Sequence, residues 1–297
     1  MNELKGLGTA LITPFDAHGK VDYEALARLL DTQLSGFVDY IVVLGTTGEA
    51  ATMEEKEKHE VRTFIRKYVN GRLPLVLGVG GNNTAAVCET LRTMDLSGFC
   101  AILSVCPYYN KPNQEGLFQH FCKVAEASPI PVVLYNVPGR TGVNLLPETV
   151  MRIYEAHPDQ IIGIKEASGN IAQIRDLIAL SQESRVKSQE PLLVISGDDG
   201  IACEVMEAGG AGLISVASNA FPEDFWHIVH DKDRALQAKY AEMVRLLFAE
   251  GNPVGIKAVL AQKGIIKNYL RLPLVSASPD LHQQIKAELQ HIGFRLG

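Results

Sequence analysis

Residues 161–170 read IIGIKEASGN, and their reading decides what kind of sheet this chain builds. Ile161, Ile162 and Ile164 are apolar and β-branched, and the run is bounded by EAHPDQ before it and SGN after it. An apolar run that does not alternate with polar residues suits a strand buried on both faces, as in a parallel sheet covered by helices. Lys165 interrupts the run, and lysine is among the side chains least often buried without a partner. Strand period two places Ile161, Gly163 and Lys165 on one face and Ile162, Ile164 and Glu166 on the other. Gly163 then leaves room for the lysine side chain.

Seven further runs have the same character: LGTALITPF (7–15), YIVVLGTT (40–47), LPLVLGVGG (73–81), CAILSVCPYY (100–109), IPVVLYNVP (130–138), LLVISGDD (192–199) and AGLISVASN (211–219). Most gaps between them hold apolar residues at helical spacing behind a polar or capping residue, as in DYEALARLLDTQL, TMEEKEKHEVRTFIRKYV and NQEGLFQHFCKVAEA. Strand, helix, strand, eight times over, predicts an α/β fold, a (β/α)8 TIM barrel, with a doubly wound open sheet as the alternative. More chain remains after the eighth run than one closing helix needs. DRALQAKYAEMVRLLFAE, NPVGIKAVLAQKG and PDLHQQIKAELQHIG predict a C-terminal helical extension. No linker separates them, so the expectation is a catalytic barrel over 1–230 and an extension over 231–297, packed as one structural unit.

The composition, 46% hydrophobic and 21% charged over 297 residues, is that of a soluble globular protein. A net charge of -6 with scattered basic residues excludes an electrostatic footprint for nucleic acid. No apolar stretch is long enough to span a membrane, and the start lacks a signal-peptide core. Five cysteines without a CxxC pair predict free thiols in a reducing compartment, hence a cytoplasmic protein. No HExxH or paired His/Asp set predicts a metal, and no GxSxG elbow or GxxxxGK[ST] loop is present.

In such barrels chemistry gathers at the C-terminal ends of the strands. Those ends carry Thr46, Thr47, Gly48 and Glu49; Tyr108 and Tyr109; Tyr135, Asn136 and Arg140; Lys165 and Glu166; Ser196, Asp198 and Asp199. An ordinary amine is almost wholly protonated at neutral pH, and desolvation favours the neutral nucleophile that Schiff-base formation with a carbonyl needs. The bland reading of Lys165 is a structural ion pair with Glu166 or an aspartate. Tyr135 ends the strand before that of Lys165, so the phenol and amine can meet and relay protons. Arg140 could clamp a carboxylate with two hydrogen bonds, or be a solvated loop cation. Residues 44–50, LGTTGEA, could bind a carboxylate through N–H and hydroxyl donors, or form a plain capped turn. Asp198 and Asp199 could hold a cation, but more often such a pair caps the following helix. Lys257 and Lys111 are rival Schiff-base lysines, set aside because neither occupies a buried strand.

Taken together and in order, GTTGEA (45–50), PYYNKP (107–112), YNVPGRTG (135–142), GIKEASGN (163–170) and SGDD (196–199) closely resemble the dihydrodipicolinate synthases, within the pyruvate-dependent class I aldolases. The resemblance runs from about residue 7 to about 272 and implies a barrel with a C-terminal helical extension. It implies that Lys165 forms the Schiff base with pyruvate, with no separate cofactor, and that Tyr135 relays protons. Thr46 would link Tyr135 to Tyr109, the latter delivered from a neighbouring subunit of a homotetramer. Thr47 would hold the pyruvate carboxylate with its backbone N–H, with Gly48 also a substrate-binding residue, the Ile214 carbonyl would line the site, and Arg140 would bind the carboxylate of aspartate semialdehyde.

N-acetylneuraminate lyases and 2-keto-3-deoxy sugar acid aldolases resemble the chain at the lysine, the tyrosine and GTTGE, but Arg140, Thr47 and the PYYN tyrosines favour the synthases. A catalytically idle barrel acting as a binding or regulatory protein is the alternative outside enzymes. Synthases inhibited by lysine resemble one another in a pocket where this chain has Ala50, Glu55, Lys58 and Ala86 instead of the usual serine, histidines and glutamate. Asn82 and Tyr108 remain of that pocket, so weak or absent lysine feedback is expected. NPVGIK (252–257), where many relatives have a second proline, is read as lying outside the chemistry.

Overall fold

In the computed structural model, which describes residues 2–184 and 191–294, eight parallel strands follow one another in chain order around a closed barrel. They are β1 (Gly6–Ala10), β2 (Tyr40–Val43), β3 (Leu75–Gly78), β4 (Ala101–Val105), β5 (Val132–Asn136), β6 (Ile161–Glu166), β7 (Leu193–Ser196) and β8 (Gly212–Ser215), and β8 closes on β1. The alternative of an open sheet is thereby overturned. Helices α1 (Tyr23–Gln33), α2 (Glu55–Val69), α3 (Thr84–Thr93), α4 (Gln114–Ala127), α5 (Pro138–Thr141), α6 (Pro147–Ala156), α7 (Ile171–Glu183), α8 (Ala202–Glu207) and α9 (Pro222–His230) lie between strands or after the last. Then follow α10 (Arg234–Phe248), α11 (Val254–Gln262) and α12 (Pro279–His291).

Helix starts are fixed by side-chain caps that the sequence supplies at the loop exits. Asp22, Asn83, Asn113, Asn170, Asp233 and Ser278 each accept a backbone N–H from the first turn of the helix that follows. Two apolar layers result. Tyr40, Val42, Leu103, Val133, Ile195 and Ile214 fill the barrel interior. The outward faces of the strands and the apolar sides of the helices form a second core, continuous into the extension through Tyr240, Ile256 and Leu289. All five cysteines are free; Cys88, Cys106 and Cys203 are buried and the other two half-buried. No helix among the described residues is long and apolar enough to cross a membrane.

The predicted faces of β6 are only half right. Val132 pairs with Ile161 but Val133 pairs with Gly163, so Ile162 is an extra residue, a β-bulge. The bulge breaks the alternation: Ile161 lies in the outer core and Ile162 in the barrel interior, while Ile164 faces outward as expected.

The role assigned to Gly163 also shifts. A methyl at Gly163 would meet the Leu193 carbonyl oxygen at 2.9 Å, so this glycine admits β7, not the lysine. Space for Lys165 comes from Gly197, where a methyl would lie 2.9 Å from Lys165 Cε.

Candidate active site

Lys165 is 6% exposed and stands opposite Tyr135 in the β5–β6 register. Its amine lies 4.5 Å from the centre of the Tyr135 ring. No carboxylate pairs with it among the described residues, and the expected structural partner is engaged elsewhere. Glu166 points to the outer face, where it accepts hydrogen bonds from Asn136 Nδ2 (2.8 Å), Gln173 Nε2 (3.2 Å) and the Ser168 N–H (2.7 Å). Asn136 Nδ2 also donates to Asn144 (2.8 Å), and Asn136 Oδ1 accepts the Leu145 N–H (2.9 Å). This buried amide–carboxylate cluster ties the end of β6 to the loop carrying Arg140. A fully satisfied network of this kind fixes one geometry.

Residues 44–50 form a short 3-10 turn at Thr46–Gly48 bracketed by two left-handed residues, Leu44 (φ 55°) and Glu49 (φ 54°). Left-handed backbone at non-glycine residues costs about 1 kcal/mol or more each and persists only where surroundings enforce it. At Glu49 the enforcing groups are visible. Its carboxylate, 4% exposed as a residue, pairs with the Lys257 ammonium and accepts the Arg271 N–H (3.2 Å). Thr13 Oγ1 donates to the Gly48 carbonyl (2.8 Å), and Asn252 Nδ2 donates to Thr47 Oγ1 (2.9 Å).

Thr46, Tyr135 and Arg140 line one cavity of about 530 Å³. Asn82 and Tyr108 line the same cavity, as do Ala50, Glu55, Lys58 and Ala86, so the two pockets the sequence separates are continuous in this chain. Lys58 donates to Glu55 (2.7 Å) within it. Asn82 has a structural task as well: its Nδ2 donates to the Tyr108 carbonyl and its own carbonyl accepts from Asn110, each at 3.0 Å. Lys165 does not line the cavity itself; it lies against Tyr135, which does. Ile214 is buried in the same interior layer as Tyr135, and Gly48 is buried in the turn.

Tyr109 is not brought to these residues. It is 89% exposed, on a left-handed residue (φ 74°), and faces away from the cavity its neighbour lines. Lys111, one rival lysine, is exposed in the same loop. Asp198 caps the turn at Asp199–Ile201, and Asp199 accepts hydrogen bonds from the Ser215 hydroxyl and the Val216 N–H (3.0 Å). Burial pushes the Asp199 carboxyl up to about 6 against the pull of those donors. No group of three His, Cys, Asp or Glu side chains gathers as a metal site among the described residues.

The other rival lysine corrects the reading of NPVGIK. Lys257 is entirely buried, more so than Lys165, donates to the Tyr269 carbonyl (3.0 Å) as well as pairing with Glu49, and stands 4.2 Å from the Phe15 ring centre. Desolvation pushes its ammonium down to about 8, opposing the pull of Glu49. An amine paired with a carboxylate is a poor nucleophile, and Lys257, unlike Lys165, has such a partner. Yet the segment is not outside the site, because Asn252 and Lys257 both hold residues 47–49. The signal was a lysine inside an apolar helix, VGIKAVL; the Asn252–Thr47 contact spans 205 positions and has no local trace.

Comparison with known proteins places this geometry. Residues 3–292 match the model of the dihydrodipicolinate synthetase family. The chain is 47% identical over 299 residues to the 4-hydroxy-tetrahydrodipicolinate synthase of Parabacteroides distasonis, covering 98% of each. The dihydrodipicolinate synthase of Thermotoga maritima superposes with a TM-score of 0.92 at 38% identity, over 97% of this chain and 98% of that one. The chloride-inhibited dihydrodipicolinate synthase of Acinetobacter baumannii, solved in complex with pyruvate, also gives 0.92, at 35% identity over 98% and 100%. Since the model match spans almost every described residue, barrel and extension alike, the chain belongs to the dihydrodipicolinate synthetase family.

Proposed function

We infer that this chain is an enzyme that condenses pyruvate with L-aspartate 4-semialdehyde, the 4-hydroxy-tetrahydrodipicolinate synthase reaction of diaminopimelate and lysine biosynthesis. The carrying observation is Lys165: a nearly buried amine without a carboxylate partner among the described residues, against the ring of a tyrosine that lines the cavity. Its amine attacks C2 of pyruvate, and the carbinolamine loses water to give the imine, with Tyr135 moving the protons. Loss of a C3 proton forms the enamine, whose C3 attacks the aldehyde carbon and leaves a hydroxyl there. The substrate's own amine then adds to C2 and displaces Lys165 as the ring closes. One water leaves overall, and the lysine supplies the electron sink without a further cofactor.

In this reading the Thr47 backbone N–H holds the pyruvate carboxylate with Gly48 beside it, Ile214 lines the site with its carbonyl, and Arg140 receives the semialdehyde carboxylate. Arg140 on the cavity wall supports the synthase over a sugar-acid aldolase, and the pyruvate bound in the Acinetobacter relative supports the ketoacid. Tyr109 completes the relay through Thr46 from a partner subunit, in a homotetramer. Its support is an almost fully exposed aromatic ring on a fixed left-handed backbone. Five free thiols suit a cytoplasmic enzyme. With Glu55 and Lys58 paired in the remaining pocket, lysine inhibits weakly or not at all; half-inhibition below millimolar lysine would show otherwise.

The test is borohydride trapping with pyruvate, followed by peptide mapping. A reduced adduct on Lys165 is expected; its absence ends the Schiff-base reading. Arg140→Ala is expected to raise the KM for the semialdehyde far more than that for pyruvate.

A further inference from the structure

Asn252 sits just before α11, outside the strands and strand-end loops of the barrel, yet it touches both halves of the site. Its Nδ2 donates to Thr47 Oγ1 at 2.9 Å, and its main-chain carbonyl accepts from Arg140 Nη2 at 3.3 Å. The residue is 7% exposed, and the other end of its amide, Oδ1, is buried without a hydrogen-bond partner. A buried amide left half unsatisfied is costly to the scaffold, so the scaffold's needs do not explain the side chain.

Direction explains it. A hydroxyl has one proton and two lone pairs. When Asn252 donates to Thr47, the hydroxyl acts as acceptor toward the scaffold, and its proton is free to point elsewhere. Thr47 is otherwise fixed: it is buried and lies between two left-handed residues, with Thr13 on the adjacent Gly48 carbonyl. Among the described residues no acceptor takes that proton, which leaves it for a bound carboxylate. Resting on the reading that pyruvate binds here, we propose that Asn252 is a positioning residue that sets the donor direction of the Thr47 hydroxyl toward the pyruvate carboxylate, while its carbonyl holds Arg140 for the second substrate.

Asn252→Asp tests direction with almost no change of shape. A carboxylate can only accept, so Thr47 must turn its proton inward and away from the substrate. Loss of a hydrogen bond to a charged group corresponds to roughly ten- to hundredfold in affinity. Asn252→Asp is therefore expected to raise the KM for pyruvate by about that factor, and more than Asn252→Ala, which leaves the hydroxyl free to rotate. Packing alone predicts the reverse order. The semialdehyde KM moves less, because the carbonyl that holds Arg140 remains. In a Thr47→Val background, Asn252→Asp is expected to add no more than about twofold, since the group it acts through is gone.

Trapping of wild type and variants with pyruvate and borohydride counts competent sites, and circular dichroism confirms folding. Four outcomes overturn the proposal: an Asp variant no worse than the Ala variant, an equal rise for both substrates, an undiminished effect without the Thr47 hydroxyl, or an unchanged KM in a variant that traps fully. Wild type that fails to trap pyruvate would instead overturn the Schiff-base reading itself, and the two failures are distinct.

Discussion

Gly197→Ala separates the chemistry of Lys165 from the stability of the barrel that carries it. A methyl built on Gly197 lies 2.9 Å from Lys165 Cε, 3.2 Å from its Cγ and 2.6 Å from the Ala167 methyl. Carbon atoms rest about 3.5–4.0 Å apart, so the lysine stem must retreat by about 0.6–1 Å. The stem is flexible and the retreat itself costs little, but it moves the amine off its place against Tyr135. A misplacement of about 1 Å at a reacting group can lower the rate about a hundredfold, close to 2.7 kcal/mol of transition-state stabilisation. Crowding against Ala167, which cannot rotate away, costs a further ~1–3 kcal/mol of stability. Gly163→Ala is the matched control, since its methyl would meet the carbonyl oxygen and Cβ of Leu193 at 2.9 and 3.0 Å and leave the lysine untouched. Both variants are expected to lose comparable stability in urea, whereas only Gly197→Ala loses kcat and the single-turnover rate of pyruvate trapping. If Gly197→Ala kept its trapping rate within about threefold, or if the two variants lost it equally, the placement of Lys165 by Gly197 would be wrong.

Two further substitutions test the groups around the site. Lys257→Met leaves the buried Glu49 carboxylate without its ion partner and is expected to cost about 3–5 kcal/mol in urea unfolding, with most of that recovered in the double variant with Glu49→Met; equal losses in single and double variants would refute the pairing. Asp199 has a folded-state value near 6 against an ordinary 3.8, so the folded protein holds an extra proton between those limits. Its stabilising contribution is full below about pH 4 and is lost as pH rises through 6, a change of about 3 kcal/mol. Asp199→Asn cannot ionise, so urea midpoints of wild type and variant measured from pH 4 to 7 are expected to differ in slope by that amount, wild type falling relative to the variant.

The barrel was legible because parallel strands under helices must be continuously apolar, and each of the eight runs overlaps a strand. The runs overshoot at their C-terminal ends, for Thr46, Cys106, Tyr108 and Val137 continue an apolar or small-residue pattern into loops where the backbone has already left the sheet. Lys165 and Tyr135 were legible for a related reason: each is chemically out of place at a strand end, and neighbouring strands pair at known offsets. The bulge at Ile162 was not legible, since an extra apolar residue in an apolar strand leaves no trace in the pattern. Nor was the difference between Gly163 and Gly197. Both are glycines beside the lysine, and only the approach of β7 shows which of them the lysine needs.

The two buried lysines among the described residues then pose a single question, which burial alone does not answer. Lys257 is the more deeply buried, sits in an apolar helix as Lys165 sits in an apolar strand, and faces an aromatic ring as Lys165 does. What separates them is the company of acceptors. Lys257 has a carboxylate and a backbone carbonyl, so its charge is compensated in place and its role is to pin Glu49 in a left-handed conformation that few side chains adopt. Among the described residues Lys165 has neither, and the carboxylate next to it in the chain, Glu166, is turned to the other face and engaged by Asn136, Gln173 and Ser168. The outer network therefore does more than tie strands together: by engaging Glu166 it holds that carboxylate away from the Lys165 amine. The extension completes the division of labour, with one lysine holding the turn beside Thr47 and the other set against Tyr135 without a carboxylate among the described residues.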